Sequence, residues 1–307
     1  MKTNIPRRAL LTATASSGAF LAFSSMGAAH GETPAISASN SAIGSEIAAI
    51  ETKLGGDIYV SLLDTASGNS YGYRENERVL FCSTGKVLLV ATILSQSIVN
   101  PDLLNRHVPI FKKDILAYAP FTSQFVGSTL TVSQLCESTL TMSDNTAANL
   151  LYKVCGGPRV VAKFVKSTGD RVTYVNRLEP DLNISRGKQD TTTASAFNLT
   201  LEAVTVGKAL PSAQQNLLIS WMKKNKTGDA QIRAGVLPSM IVADKTGASQ
   251  EGHSHDVSII WPASNGLSLV LSIFTKMEIP TNTALQKECI AKVANILASA
   301  YVAESLL

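Results

Sequence analysis

The first candidate for chemistry is a serine followed three positions later by a lysine, in the run Ser83-Thr84-Gly85-Lys86. A serine hydroxyl becomes a useful nucleophile only when a base removes its proton. Residues three apart lie on the same face of a helix, so the Lys86 amine would reach the Ser83 hydroxyl. The pair predicts nucleophilic catalysis by serine, with lysine as a base.

This S-x-x-K spacing is weak evidence alone, because it also occurs at Ser185 with Lys188 and at Ser220 with Lys223. The former lies in a polar, glycine-containing stretch and the latter at the end of a predicted surface helix. Only Ser83 begins an apolar helical run, in which a neighbouring lysine would be removed from water and so be suited to base duty. Ser83 is therefore the predicted nucleophile.

A second group of polar residues, Ser143-Asp144-Asn145, opens another predicted helix. All three residue types are favoured as helix caps, and a capped helix start is also a rigid platform for polar groups. Ser143 could relay a proton to a leaving nitrogen, and Asn145 could hold an amide side chain of the substrate. The capping and the catalytic interpretations are compatible.

A third group, Lys245-Thr246-Gly247, follows a predicted strand. Glycine at position 247 permits close approach of another backbone or of a ligand. The peptide N–H groups of Ala248 and Ser83 would then bind an oxyanion, a contribution typically on the order of 10²–10³ in rate. A second K-T-G run, at residues 226–228, lies in a polar stretch after a helix and is predicted to be unrelated.

Hydrophobic periodicity shows which elements must position these groups. A β-hairpin near the N-terminus and strands near the C-terminus enclose a helical middle, which predicts an α+β fold. One antiparallel five-stranded sheet is built from both chain ends and flanked by helices. The α/β lobe covers about 45–80 and 224–307, and a helical second lobe covers about 81–223. The predicted helices are 45–54, 83–97, 131–139, 145–154, 158–167, 193–206, 212–223 and 282–300; the strands are 57–63, 69–74, 239–245, 256–261 and 267–274, with a turn at 263–266.

The three groups, in this order, resemble the motif set of the penicilloyl serine transferases. The run at 143–151 is similar to class A β-lactamases in particular, and the likeness extends from about residue 45 to 300. The resemblance implies a β-lactamase/transpeptidase-like fold without a metal or other cofactor. It also implies hydrolysis of penicillins and cephalosporins through a serine acyl-enzyme, and hence antibiotic resistance.

The run at 177–183 resembles the start of the class A omega loop. By that resemblance Glu179 and Asn183 hold the hydrolytic water, Arg177 pairs with Asp190 across the neck of the loop, and the Glu179–Pro180 bond is cis. The loop is about two residues shorter than is common. The resemblance also implies a substrate-binding set: Tyr118, Asn145, Asn183, Thr246, Gly247, Ala248 and Ser249.

One expected group is missing from the pattern. Many members hold the substrate carboxylate with an arginine whose place falls near Ser254, and the usual substitute site falls near Gln231. Lys245 and Thr246 could manage alone, or Arg233, His253 or Lys287 could help, and the sequence leaves these alternatives open.

Cysteine and histidine usage argues against a zinc enzyme. The four cysteines, Cys82, Cys136, Cys155 and Cys289, show no metal-ligand spacing. They could pair in an oxidising compartment, but the partner positions that the family uses for Cys82 and Cys136 fall at Ser249 and Val90, so buried thiols are predicted. The alternating His253 and His255 could bind a metal, but are predicted to be solvated residues of a hairpin.

Residues 1–29 are predicted to be an export signal, because Lys2, Arg7 and Arg8 precede an apolar, small-residue run. The arginine pair fits either a twin-arginine signal or an ordinary secretory signal. Residues 30–44 are predicted to be flexible. The rest of the chain has 24 basic and 23 acidic residues, a net charge of +1. This balance gives no indication of the basic surface that nucleic-acid binding requires. No later run is predicted to span a membrane.

Three functions remain open. The first is an exported β-lactam hydrolase, periplasmic in a Gram-negative cell and otherwise secreted, acting as a monomer. The second is a D-alanyl-D-alanine peptidase, which needs neither Glu179 nor Asn183. The third is a penicillin-sensing domain that stays acylated, although such domains are usually anchored by membrane-spanning helices, which are not predicted in this chain.

Overall fold

The computed structural model describes residues 34–262, 268–278 and 282–304. The predicted export signal and the predicted turn at 263–266 lie outside the described residues.

Five strands form one antiparallel sheet drawn from both chain ends, as predicted. Its order is β2-β1-β9-β8-β7, so the first strand of the chain pairs with the last, with Tyr59 opposite Phe274. The strands are Gly56–Asp64 (β1), Ser70–Tyr73 (β2), Val79–Leu80 (β3), His107–Pro109 (β4), Thr129–Thr131 (β5), Thr191–Thr192 (β6), Ile241–Ala248 (β7), His253–Trp261 (β8) and Leu269–Met277 (β9). The short pairs β3–β6 and β4–β5 were not predicted, because two or three residues carry too little periodicity.

The predicted helices occur in the predicted order, and one short helix, Ile232–Gly235, was not predicted. The helices are Pro34–Leu54 (α1), Lys86–Val99 (α2), Val132–Thr141 (α3), Asn145–Cys155 (α4), Pro158–Ser167 (α5), Ala194–Thr205 (α6), Ser212–Lys223 (α7), Ile232–Gly235 (α8) and Thr283–Glu304 (α9). Helix α1 begins at Pro34, before its predicted start at 45, and so includes residues 34–44 of the segment that was predicted to be flexible. The Ser/Ala-rich stretch is helical because Ile43 and Ile47, one turn apart, are buried against the sheet and α9.

Alternate side chains of β9 enter two different hydrophobic clusters. Val270 and Phe274 join the cluster that the sheet forms with helices α2 to α7. Leu271 and Ile273 join the cluster that the sheet forms with α1, α8 and α9. The sheet is therefore buried on both faces, and its edge strand β7 borders the helical part of the molecule.

One apolar stretch among the described residues, Cys82–Val99, is by length and composition able to cross a membrane. The expectation that no run is long enough is therefore wrong on that criterion. Because 72% of this stretch is buried inside the protein, its apolar character is accounted for by the core, where Val87, Leu89, Ile93 and Leu94 are fully buried.

Candidate active site

Ser83 lies in a 3-10 turn, Cys82–Gly85, directly before α2. Cys82 adopts a positive φ of 49°, a conformation uncommon for a residue with a side chain. A Cβ at Gly85 would lie 2.5 Å from the ring of Phe81, so the turn needs glycine there. This tight turn places the Ser83 hydroxyl at the start of a buried helix.

Lys86 occupies the centre of the site and is 3% exposed. Its Nζ lies 2.8 Å from Ser83 Oγ, 2.8 Å from Glu179 Oε1 and 2.6 Å from Asn145 Oδ1. The carbonyl oxygen of Ser143 lies 3.0 Å away and its Oγ 3.2 Å. One buried lysine thus contacts the predicted nucleophile, the S-D-N group and the omega-loop carboxylate.

The S-D-N group is held by a helix cap. Asp144 is the N-cap of α4, its Oδ1 accepting from the Ala147 amide at 2.8 Å. Its Oδ2 also accepts from the amides of Phe121 and Thr122, at 3.0 and 2.9 Å. Ser143 has a φ of 58°. The buried Asp144 therefore fixes the two neighbours whose side chains face Lys86, and the capping prediction is confirmed.

Glu179 is buried beside Ser83, the predicted nucleophile, with its Oε1 3.5 Å from Ser83 Oγ. Its Oε2 accepts a hydrogen bond of 2.6 Å from Asn183 Nδ2. Asn149 on α4 holds the backbone, donating to the Glu179 carbonyl at 2.8 Å and accepting from its amide at 3.0 Å. The Glu179–Pro180 bond is cis, as predicted. The contribution of Asn149 was missed, although it lies in the run at 143–151 used for the family resemblance.

The neck of the omega loop contains a buried ion pair. Arg177 Nε lies 2.5 Å from Asp190 Oδ2, and the Asp190 carboxylate is fully buried. Its Oδ1 also accepts from the amides of Asn176 and Arg177, at 2.8 and 3.0 Å. Arg177 Nη2 donates to the carbonyl of Ile184 at 2.7 Å. These contacts join the two ends of the loop.

Lys245 reaches the site from strand β7 and is fully buried. Burial and, secondarily, the nearby positive charge of Lys86 together lower its pKa to about 7. Its Nζ donates to the carbonyl of Thr246 at 2.8 Å. A Cβ at Gly247 would lie 3.0 Å from the amide nitrogen of Thr84 and 3.1 Å from that of Ser83. Glycine therefore lets β7 lie directly against the turn that carries the nucleophile.

These groups surround a cleft of about 440 Å³. Most of the predicted substrate-binding residues line it, and Tyr118 stands half-exposed at its edge. The buried Lys86 and Glu179 contact Ser83, and the buried Lys245 contacts the carbonyl of Thr246, so these three side chains lie directly behind residues that line the cleft. The lining residues are Ser83, Tyr118, Ser143, Asn145, Asn183, Thr227, Gln231, Thr246, Gly247, Ala248, Ser254, Thr283 and Lys287.

Thr227 was missed because its K-T-G run was predicted to be unrelated. Its Oγ1 lies 2.5 Å from Thr246 Oγ1, so the two K-T-G runs meet in the cleft. Of the other two S-x-x-K serines, Ser185 is exposed on the omega loop, and Ser220 donates to the carbonyl of Leu217 at 2.8 Å within α7.

The structure separates the three candidates for the missing arginine. Arg233 is engaged away from the cleft, with its guanidinium 2.5 Å from the buried Asp244 carboxylate. His253 is buried, its Nδ1 is 2.8 Å from Ser249 Oγ, and burial lowers its pKa to about 4. Only Lys287, of these three, lines the cleft, as does Ser254, near which the family's arginine would fall.

The prediction that His253 and His255 are solvated hairpin residues is wrong. Both are buried, because β8 lies between β7 and β9, and the His255 ring packs 4.9 Å from that of Phe274. Within the described ranges no group of three potential metal ligands occurs. The four cysteines are free and buried, and burial raises the pKa of the Cys82 and Cys136 thiols.

Comparison with known proteins connects this geometry to a family. Residues 42–301 match the model of the β-lactamase enzyme family. The chain is 41% identical to β-lactamase L2 of Stenotrophomonas maltophilia, covering 87% of this chain and 90% of that protein. It is 40% identical to β-lactamase CTX-M-97 of Escherichia coli, and the match covers 76% of this chain and 81% of that protein.

Solved structures agree. A class A β-lactamase from Mycobacterium abscessus superimposes with a TM-score of 0.82 at 41% identity, covering 85% of this chain and 99% of that one. The structure of L2 complexed with relebactam superimposes with a TM-score of 0.82 at 40% identity, and the match covers 86% of this chain and 98% of that one. The chain belongs to the β-lactamase enzyme family and, within it, to the class A serine β-lactamases.

Proposed function

We propose that this chain hydrolyses β-lactams through an ester on Ser83, and that Glu179 directs the water that cleaves the ester. The observation that carries the proposal is the contact of Lys86 Nζ with both Ser83 Oγ and Glu179 Oε1, at 2.8 Å each. A nucleophile, a base and a water-directing carboxylate thus meet at one point.

In acylation, Ser83 Oγ attacks the lactam carbonyl carbon while its proton passes to a base. Lys86 at 2.8 Å and Glu179 at 3.5 Å both face this hydroxyl and share that duty. The amides of Ser83 and Ala248 stabilise the oxyanion. The lactam C–N bond then breaks, and Ser143, in contact with Lys86, hands a proton to the leaving nitrogen.

In deacylation, water attacks the ester carbonyl and loses a proton to Glu179, and Ser83 recovers its own proton as it leaves. Asn183 donates to Glu179 Oε2 and so leaves Oε1 directed at the nucleophile. A peptidase or a penicillin sensor has no need for this carboxylate–amide pair. The pair therefore favours the hydrolase among the three candidate functions.

Substrate recognition follows from the cleft. The substrate carboxylate binds near Lys245 and Thr246, with Lys287 supplying the second cation in place of the missing arginine. Asn145 and Asn183 contact the amide side chain, and Tyr118 covers the mouth of the cleft. Ser249, also predicted to bind substrate, directly follows β7 and is not among the residues that line the cleft.

Glu179→Ala tests the proposal most directly. With benzylpenicillin in excess, the parent should turn over continuously and the variant should retain one drug per chain by intact mass. Asp181→Ala, which changes an exposed carboxylate two residues away, is the matched control and should clear its adduct at the parent's rate. If Glu179→Ala clears its adduct equally fast, the assigned role of Glu179 is wrong.

We further propose that residues 1–29 direct export and that the mature chain acts as a monomer of the domain at 45–307, without binding nucleic acid. The basic, apolar and small-residue order of the leader and the balanced charge of the remainder support this. N-terminal sequencing of the periplasmic protein and light scattering test it. An uncleaved cytoplasmic product, or a stable dimer, would overturn the corresponding part.

A further inference from the structure

The omega loop touches the β7–β8 turn through one carboxylate. Glu251 Oε2 accepts a hydrogen bond of 2.9 Å from the Ser185 amide and a second from Ser185 Oγ. These bonds lower the pKa of the Glu251 carboxyl, which is therefore anionic at neutral pH. Two donors from one residue on a charged acceptor make a more directional contact than a single neutral hydrogen bond.

On the loop side, this contact lies next to the water-directing pair. Ser185 follows Asn183 by two residues, and Asn183 donates to Glu179 Oε2 at 2.6 Å. The neck ion pair of Arg177 and Asp190 restrains both ends of the loop, but the stretch between them is exposed from Ile184 to Lys188. Within this exposed stretch, Ser185 makes the hydrogen bonds to Glu251 that connect the loop with the β7–β8 turn of the sheet.

On the turn side, the contact leads to the oxyanion strand. The Glu251 amide donates to Ser249 Oγ at 3.1 Å, and Ser249 Oγ lies 2.8 Å from His253 Nδ1. The Ser249 amide donates to the His253 carbonyl at 3.1 Å, which closes the turn. Ser249 directly follows Ala248, the predicted oxyanion donor. The turn is therefore a firm anchor for Glu251.

Apolar packing does not fill the space beside this contact. A cavity of about 250 Å³ there is lined by Ser185, Gly187, His253, Lys276 and Arg78, among others. A loop with open space beside it depends on its few polar contacts for its position. The Ser185–Glu251 contact therefore restrains the distal half of the omega loop from the sheet, alongside the hydrogen bond that Arg177 donates to the Ile184 carbonyl from the neck.

We propose that Glu251 is a positioning residue for deacylation: by holding Ser185, it keeps Asn183 and Glu179 aligned with the ester on Ser83. The proposal rests on the proposed hydrolytic function. The loss of this contact should slow deacylation more than acylation. In acylation Lys86, which lies on α2 and does not depend on the contact, shares the role of base with Glu179, whereas in deacylation Glu179 is the proposed base for the water.

The test is single-turnover kinetics of the full-length mature protein with a chromogenic cephalosporin and with benzylpenicillin. Glu251→Ala should slow deacylation about threefold to tenfold and leave acylation within about twofold, since it removes both hydrogen bonds to a charged group. Ser185→Ala retains the amide donor and should have a smaller effect. Glu251→Gln keeps an acceptor oxygen, and its deacylation rate should be close to the parent's.

The two changes should also be non-additive, because Ser185→Ala has no hydroxyl contact left to remove once Glu251 is alanine. Glu46→Ala, at an exposed position on α1, is the control for loss of a surface carboxylate. Unchanged deacylation in Glu251→Ala, or equal slowing of both steps, would overturn the proposal. If the parent itself fails to turn over β-lactams, the proposed function fails instead.

Discussion

The two sides of the active site are built by different means. Ser83 and Lys86 are carried by the turn and the first residue of the buried helix α2, and Lys245 is carried by the edge strand β7, which packs against that turn. Glu179 and Asn183 are carried by an irregular loop that is fixed by side-chain contacts with Asn149, with the Arg177–Asp190 pair and with Glu251. We therefore infer that the proposed acyl-enzyme forms on well-packed elements, whereas its hydrolysis depends on a few polar contacts that hold the loop.

The largest effect should come from the well-packed side. Ser83→Ala removes the nucleophile, and kcat/KM for benzylpenicillin should fall on the order of 10⁵-fold. No adduct should be seen by mass, and the melting temperature should stay close to the parent's. Ser220→Ala, the same change in another S-x-x-K pair, is the control. Turnover that survives Ser83→Ala would assign the nucleophile elsewhere.

A smaller effect, confined to the loop side, should follow Arg177→Ala. It leaves the buried Asp190 carboxylate without its ion partner, which typically costs about 3 kcal/mol of unfolding free energy. Denaturant unfolding should show that loss, and deacylation should slow more than acylation. Arg186→Ala, on the exposed part of the same loop, should change neither quantity. Equal slowing of the two steps would remove the proposed distinction between the two sides.

The well-packed side should also show a pH dependence of its own. Lys245 has a lowered pKa of about 7, so its amine is charged below pH 7 and neutral above it. The attraction for the substrate carboxylate should therefore weaken as pH rises, and KM should increase about tenfold per unit once the amine titrates. Lys245→Arg keeps its charge across this range and should have a flatter KM profile. A parent KM independent of pH from 6 to 9 would contradict this assignment.

The smallest expected effect concerns the exposed rim of the cleft. Lys287→Gln should raise KM about threefold with little change in kcat, and the difference should shrink in high salt, because exposed charges are screened. Lys292→Gln on the same helix is the matched control. A fall in kcat without a change in KM would exclude Lys287 from carboxylate binding.

Much of the fold could be predicted from local patterns. Helix α4 matched its predicted start because Asp144 caps it. Strand β1 matched to within one residue at each end, although its central residues are buried in an unbroken run rather than alternately. The start of α1 could not be predicted in the same way. Its Ser/Ala-rich residues have no strong periodicity, and only contact with α9 and the sheet shows why Ile43 is buried.

The sequence by itself determined the chemical groups and their order: a serine with its lysine, a capped S-D-N, a glutamate before proline, and K-T-G after a strand. The tertiary structure alone decided which of the repeated motifs meet, because pairing of β7 with β8 and packing of β7 on the nucleophile turn bring distant residues together. It placed Thr227 beside Thr246, buried His253, left Lys287 in the cleft and tied Ser185 to Glu251. Such contacts join residues that are far apart in the sequence; Ser185 and Glu251, for example, are separated by more than sixty positions. They depend on which side chains the fold buries and where those side chains point, and local residue spacing does not encode either.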